Sequence, residues 1–170
     1  TGFAEVDSSR ISFQLPRLFE DVWEYERVNG RVSVDLDVSE GVDLKLSSGV
    51  IVATSAAVTG RAQFSLHAKP TGDANRIADL ELMVGVSEGD ISRKALYLPR
   101  APGVKEGLRN LMTWLDGAII GGTARDSGLV FRGSVLPDAE PSERSLQMYF
   151  NVTDGSVRYE PQWPLLEGLH

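Results

Sequence analysis

Residues 27–38 read Arg-Val-Asn-Gly-Arg-Val-Ser-Val-Asp-Leu-Asp-Val and carry the clearest structural signal in the chain. Apart from Gly30, the even positions are apolar, whereas every odd position is polar. Alternation with a period of two is typical of a β-strand that buries one of its faces. Since the register holds over all twelve residues, the stretch predicts a long strand with one apolar and one polar side.

Two further stretches repeat this alternation, at residues 56–68 and 78–86. Their apolar positions are Ala56, Val58, Ala62, Phe64 and Leu66 in the first, and Ala78, Leu80, Leu82, Val84 and Val86 in the second. Shorter strands are predicted at 11–15, 42–46, 50–54, 129–135, 146–152 and 157–159. Short turns rich in Gly, Ser and Asp separate them, which favours antiparallel neighbours. The sequence therefore predicts a mainly β, antiparallel protein.

One segment departs from this pattern and predicts an amphipathic helix at about residues 104–120. Its apolar side chains recur at offsets of three and four, namely Val104, Leu108, Leu111, Met112, Leu115, Ala118 and Ile119. Pro99 and Pro102 precede the helix, and Gly121-Gly122 is expected to end it. Trp114 falls at the edge of the apolar side, which predicts a packing role in the core.

A single helix is too narrow to cover the apolar face of such a sheet. It is about 10 Å across and shelters roughly two strands, whereas eight or nine strands present about 40 Å of apolar width. Either the sheet closes on itself as a sandwich or barrel, or it curls into a trough whose inner face meets another apolar partner. The residues themselves leave both architectures open.

Composition excludes several classes of function. The 170 residues suit one domain, and a net charge of -7 disfavours nucleic-acid binding. Without cysteine, the chain has neither disulfides nor thiolate chemistry. No catalytic, phosphate-binding or dinucleotide motif occurs. His67, Asp35 and Asp37 alternate onto polar strand faces, where solvated roles are the rule. We therefore expect no enzyme activity, catalytic residue, metal or cofactor.

Four short motifs in the second half of the chain give a family resemblance. They are Tyr97-Leu-Pro99 before the helix, Trp114-Leu115 with Ile119-Ile-Gly-Gly122 at its end, Phe131-Arg-Gly133, and Val157-Arg-Tyr159-Glu-Pro-Gln-Trp163-Pro-Leu-Leu-Glu-Gly168. In this order they resemble the AsmA-like superfamily, and within it the family of very long YhdP envelope proteins. The resemblance is clearest from Tyr97 to the end of the chain.

The resemblance implies a curved antiparallel sheet, forming a groove or half-open barrel with one amphipathic helix. It implies that residues 1–170 are one β-rich domain, an internal segment of a longer protein. Such proteins are anchored in the inner membrane of Gram-negative bacteria, cross the periplasm and conduct phospholipids toward the outer membrane. The expected partners are phospholipid acyl chains, neighbouring repeats of the same chain and other envelope proteins. The expected groove lining is Val32, Val34, Leu36, Val58, Phe64, Leu66, Leu80, Leu82 and Val84.

Two other interpretations make different predictions. A non-catalytic binding or scaffolding module of the envelope would be a closed β-sandwich that contacts proteins through loops 70–76 and 136–144. A carbohydrate-active enzyme would need two carboxylates converging in one cleft, roughly 5–10 Å apart.

Overall fold

The computed structural model describes residues 1–39, 41–70, 76–136 and 138–170. The strands are β1 (Gly2–Ser8), β2 (Ile11–Phe13), β3 (Trp23–Tyr25), β4 (Arg27–Asp37), β5 (Asp43–Ser48), β6 (Ile51–Thr54), β7 (Val58–Lys69), β8 (Ile77–Asp90), β9 (Ile119–Ser134), β10 (Arg144–Tyr149), β11 (Val152–Val157) and β12 (Leu166–Leu169). Helix α1 spans Glu106–Ala118, and 3₁₀ helices span Ile91–Tyr97 and Pro141–Glu143. The mainly β prediction is confirmed.

In the part of the chain that the structure describes, ten strands form one curved antiparallel sheet that does not close into a barrel. Its main path runs β1-β4-β5-β7-β8-β9-β11-β12, while β6 pairs with β4 and β7, and β10 pairs with β9. Strands β2 and β3 form a separate hairpin. In the described residues no second large sheet packs on the first, so the closed sandwich is not formed.

Irregular positions in the long strands account for bending of the sheet. The register of β7 and β8 shifts between Thr59 and Gly60, which inserts one extra residue into β8. Asp126 in β9 and Asp154 in β11 have positive φ angles of 46° and 55°. Extra or left-handed residues of this kind bend a strand and increase its local twist.

The helical segment lies at one end of the sheet, because it connects β8 to β9, which are neighbours. The buried apolar residues of the described chain lie at this end rather than under the sheet: Ala57, Ala101, Val104, Met112 and Ala118. Asp116 fastens α1 to the preceding segment through ion pairs with Arg100 at 2.7 Å and Lys94 at 3.2 Å. This end of the molecule is therefore its packed part.

Two details of the helix prediction are wrong. Helix α1 ends at Ala118, and Gly121-Gly122 lies inside β9, because Ile119 pairs with Val157 of β11 and extends the chain. Trp114 is not a core residue: 41% of its surface is exposed. Its ring packs on Tyr159 at 5.3 Å, and Tyr159 in turn lies 5.6 Å from Trp163. The aromatic residues of the terminal motif thus anchor the segment before β12 to α1.

The short strands and loops match the sequence predictions less closely. The sequence pattern does not predict β1, β3, β12 or the first half of β9, and the predicted strand 146–152 is interrupted between β10 and β11. Of loop 70–76, residues 71–75 lie outside the described residues. Loop 136–144 contains the second 3₁₀ helix, which is held by a hydrogen bond from the Arg144 guanidinium to the Leu136 carbonyl.

Candidate functional site

The nine residues expected to line a groove all lie on one face of the sheet, here called the apolar face. Strand register fixes this placement: Val34 and Leu66 each pair with Leu46 of β5, and Leu66 also pairs with Leu80. The nine comprise Val32, Val34 and Leu36 on β4, Val58, Phe64 and Leu66 on β7, and Leu80, Leu82 and Val84 on β8. Three separate stretches of sequence therefore supply one surface.

The apolar face continues onto strands that the expected lining did not include. Cross-strand pairing gives four apolar rows that run perpendicular to the strands. The rows are Leu36–Leu44–Ala68–Ala78, Val34–Leu46–Leu66–Leu80, Phe64–Leu82–Phe131–Leu146 and Ala62–Val84–Leu129–Met148. Leu44, Leu46, Leu129 and Phe131 belong to stretches with strand alternation, so pairing neighbouring strands would have identified them from the sequence.

The rows make the apolar face long enough for lipid tails. Each row crosses four strands, which at a spacing of about 4.8 Å span about 14 Å. One leaflet of a bilayer has a hydrocarbon depth of about 15 Å, half the thickness of the hydrocarbon core. One row therefore offers about one tail length of apolar surface.

Nothing in the described residues covers this face completely. The accessible surface of the chain is 11521 Å², against about 8200 Å² for a compact monomer of 18.5 kDa. Leu36 and the two β10 residues in the rows, Leu146 and Met148, are more than half exposed. No large side chain of the described sheet is fully buried. The apolar face is therefore an open surface of the folded chain.

One polar residue on the apolar face is satisfied by the backbone. Ser48 is buried at the end of β5, and its Oγ accepts a hydrogen bond of 2.9 Å from the backbone N–H of Phe64. Because the chain leaves β5 at this point, the hydroxyl replaces the strand partner that Phe64 would otherwise lack. The serine thus leaves no free polar group to interrupt the apolar rows.

The opposite face of the sheet, here called the polar face, carries most of the charged side chains of the strands and is tied by contacts between them. Asp43 of β5 contacts two residues of β7: Lys69 Nζ lies 2.7 Å from Oδ2 and His67 Nε2 lies 3.0 Å from Oδ1. The hydrogen bond from Lys69 lowers the pKa of the Asp43 carboxyl, and the hydrogen bond from His67 acts in the same direction. His67 is therefore part of a strand-to-strand contact.

This contact predicts a pH-dependent loss of stability. Since folding lowers the pKa of Asp43, its stabilising effect is present above the unfolded pKa of about 3.9 and is lost as the pH falls through the folded pKa. Asp43→Asn should lower the urea midpoint at pH 7, and the difference from the unsubstituted protein should shrink as the pH falls through the folded pKa of Asp43. Glu81→Gln, on the same face and without an ion pair among the described residues, is the control. A difference in urea midpoint that stays the same as the pH is lowered from 7 into the acid range would contradict the assignment.

A family model described as YhdP protein matches residues 1–170, the full length of the chain. The chain belongs to the YhdP family. This family comprises bridge-like lipid transport proteins of the bacterial envelope and is not known for catalysis. No curated protein and no solved structure gives a significant match.

Two of the motifs that resemble the YhdP family have structural roles. One lies at the packed end of the molecule and the other where β10 pairs with β9. Tyr97 packs on Trp23 with 5.4 Å between ring centroids. Gly133 has a φ of 129°, and its α-carbon faces the backbone of Glu143 and Arg144, where a side chain would clash. These residues hold the framework, whereas the apolar rows supply the surface.

The described part of this YhdP-family chain contains no grouping of three or more His, Asp or Glu side chains that could hold a metal. Asp37, on the polar strand face, has a lowered pKa because the backbone N–H and hydroxyl of Ser39 donate to its carboxylate. No helix among the described residues has the length and apolar content needed to cross a bilayer.

Proposed function

We propose that this chain is a segment of an inner-membrane-anchored periplasmic protein that conducts phospholipids toward the outer membrane. The observation that carries the proposal is the open apolar face, whose four rows cross the strands without a charged side chain between them. Acyl chains would lie along these rows, and head groups would lie outside them.

The energetics suit transport of tails. Each methylene removed from water contributes about 0.8 kcal/mol, so ten buried methylenes contribute about 8 kcal/mol. A tail needs no hydrogen bonds, so a lining of Val, Leu, Ile, Phe and Ala is sufficient. Because successive positions along a row are chemically alike, a tail can shift by one strand spacing at little cost. Conduction needs contiguous apolar surface and no reactive residue.

The edges of the sheet suit a longer conduit. Strands β1 and β12 end the main path, and in the described residues each pairs on one side only. Unpaired strand edges accept further strands. We place neighbouring repeats of the same chain there, so that the apolar rows continue into them. Other envelope proteins would contact the polar face.

Site-specific photocrosslinking tests the proposal. A benzophenone amino acid is introduced at Leu82, on the apolar face, or at its neighbour Glu81, on the polar face. After irradiation in envelope preparations, phospholipid adducts detected by mass spectrometry should form at position 82 and be at least tenfold weaker at position 81. Equal adduct yields at both positions, or none at position 82 in a folded protein, would refute the proposal.

The alternative envelope module depended on a closed sandwich. Since the sheet is open and its apolar face is uncovered, the fold lacks the architecture on which that interpretation was based. We therefore advance lipid conduction alone.

A further inference from the structure

A second feature lies beside the apolar face, at the packed end of the molecule. A half-open cavity of about 690 Å³, here called the end cavity, is bordered by the β2–β3 hairpin, the 3₁₀ helix Ile91–Tyr97 and the turn between β6 and β7. Its volume is in the range of small-molecule sites, about 300–1,000 Å³. The turn residues 55–57 line the cavity, and Val58 of the expected groove lining follows them directly. The end cavity therefore adjoins one end of the strands that form the apolar face.

The end cavity has an aromatic wall. Trp23 and Tyr97 line it, and the Trp23 indole N–H donates to the Leu96 carbonyl at 2.8 Å, which fixes the ring. Tyr25 lies beside them, and burial together with the nearby Tyr97 raises its pKa to about 12. The phenol is thus neutral at pH 7, and the wall is held in place before any ligand arrives.

Charged residues of both signs line the same cavity without neutralising one another. Arg10 and Arg93 supply two positive charges, and Glu24 and Glu26 supply two negative ones. Among residues 1–39, 41–70, 76–136 and 138–170, no ion pair within 4.0 Å involves any of these four side chains. These four groups together carry no net charge, and none of them is held in an ion pair within 4.0 Å in the described residues.

We propose that the end cavity binds the zwitterionic head group of a phospholipid whose tails lie on the apolar face. Arg10 and Arg93 would hold the phosphate, since guanidinium groups bind phosphate oxygens through charge-assisted hydrogen bonds. Glu24, Glu26 and the aromatic wall would hold the ammonium group, which is attracted to carboxylates and to ring faces. A purely anionic head group would meet the two glutamates unfavourably. The inference rests on the proposed function, because it assigns the head group of the same lipid.

The test uses ligands too short or too polar to need the apolar rows. Phosphocholine, inorganic phosphate and dihexanoyl-phosphatidylcholine below its micellar concentration are titrated into the protein by calorimetry. We expect phosphocholine to bind at least tenfold more tightly than inorganic phosphate. In Arg10→Gln/Arg93→Gln its affinity should fall at least tenfold, because two charge-assisted contacts are lost. Arg132→Gln, exposed on the polar face, should bind as the unsubstituted protein does.

The glutamates give an independent readout. In Glu24→Gln/Glu26→Gln the preference for phosphocholine over inorganic phosphate should shrink toward equality, while binding of inorganic phosphate is kept or improved. Equal affinities for phosphocholine and phosphate in the unsubstituted protein would overturn the zwitterion assignment. Unchanged affinity in the folded double arginine variant would overturn the site.

The experiment also separates this inference from the proposed function. If adducts form at position 82 but phosphocholine does not bind, lipid conduction is supported and the end cavity is rejected as a head-group site. Arginine-dependent binding of phosphocholine without adducts at position 82 would reject lipid conduction, and with it the role of the cavity as a head-group site.

Discussion

Replacing Phe64 and Leu82 together by aspartate should reduce bound phospholipid at least tenfold. The two residues are directly paired across β7 and β8 and lie at the centre of one apolar row. A tail passing this point would have to strip water from two carboxylates, and burying an unpaired charge is strongly unfavourable. Since the face is open in the folded chain, the carboxylates remain hydrated without lipid, and the sheet is expected to form.

The chain offers a matched control one residue along each strand. Gln63 and Met83 are also directly paired across β7 and β8, but they lie on the polar face. Gln63→Asp/Met83→Asp adds the same two residues to the same strands and should leave lipid content unchanged. The measurement is phospholipid per protein after extraction and mass spectrometry, with circular dichroism to confirm folding. Equal lipid loss in both double variants would show that charge on the sheet, rather than on the apolar face, causes the effect.

Gly133→Ala should lower the free energy of unfolding by about 2–5 kcal/mol. The residue has a φ of 129°, a conformation that side-chain-bearing residues rarely adopt. An added Cβ would also collide with the carbonyl oxygen of Glu143, a backbone atom that cannot turn aside as a flexible side chain can. Strain and overlap therefore act together, at the point where β10 begins to pair with β9.

Urea unfolding monitored by circular dichroism measures this effect, and α1 provides the opposite control. A Cβ at Gly107 would meet nothing within 4 Å, and this residue lies in the helix. Gly107→Ala should therefore stabilise the protein by about 0.4–1 kcal/mol, since alanine restricts the unfolded chain more than glycine does. If Gly133→Ala unfolds at the same urea concentration as the unsubstituted protein, the close approach of β10 to Gly133 is wrong.

The apolar face could be predicted from the sequence because it depends on local alternation alone. Val32, Phe64 and Leu82 each belong to a stretch in which apolar and polar residues alternate without a break around them. Strand β1 shows no comparable alternation in the sequence. Its positions on the apolar face include Gly2 and Ala4, whose side chains are too small to be recognised as buried apolar residues. The predicted end of the helix at Gly121-Gly122 was wrong because glycines commonly end helices, whereas here Ile119 already pairs with Val157 of β11.

The end cavity could not be predicted, because its parts are distant in sequence. Trp23 donates to Leu96, 73 residues away, and no local periodicity marks either residue. In the sequence, Arg10 precedes the three longest predicted strands and Arg93 follows them. Short strands such as β2 and β3 are set by tertiary packing rather than by their own pattern. Long-range placement of this kind becomes visible only once the topology is known.

The uncovered apolar face also affects how the stability of the chain responds to temperature. An ordinary domain of 170 residues gains about 2.0–2.6 kcal/mol/K of heat capacity on unfolding, largely because oily groups become hydrated. Here many of those groups are hydrated before unfolding begins. Without lipid, the chain should therefore show a smaller heat-capacity change on unfolding and a flatter dependence of stability on temperature. Bound lipid, which removes water from the apolar face, should increase both the heat-capacity change and the curvature.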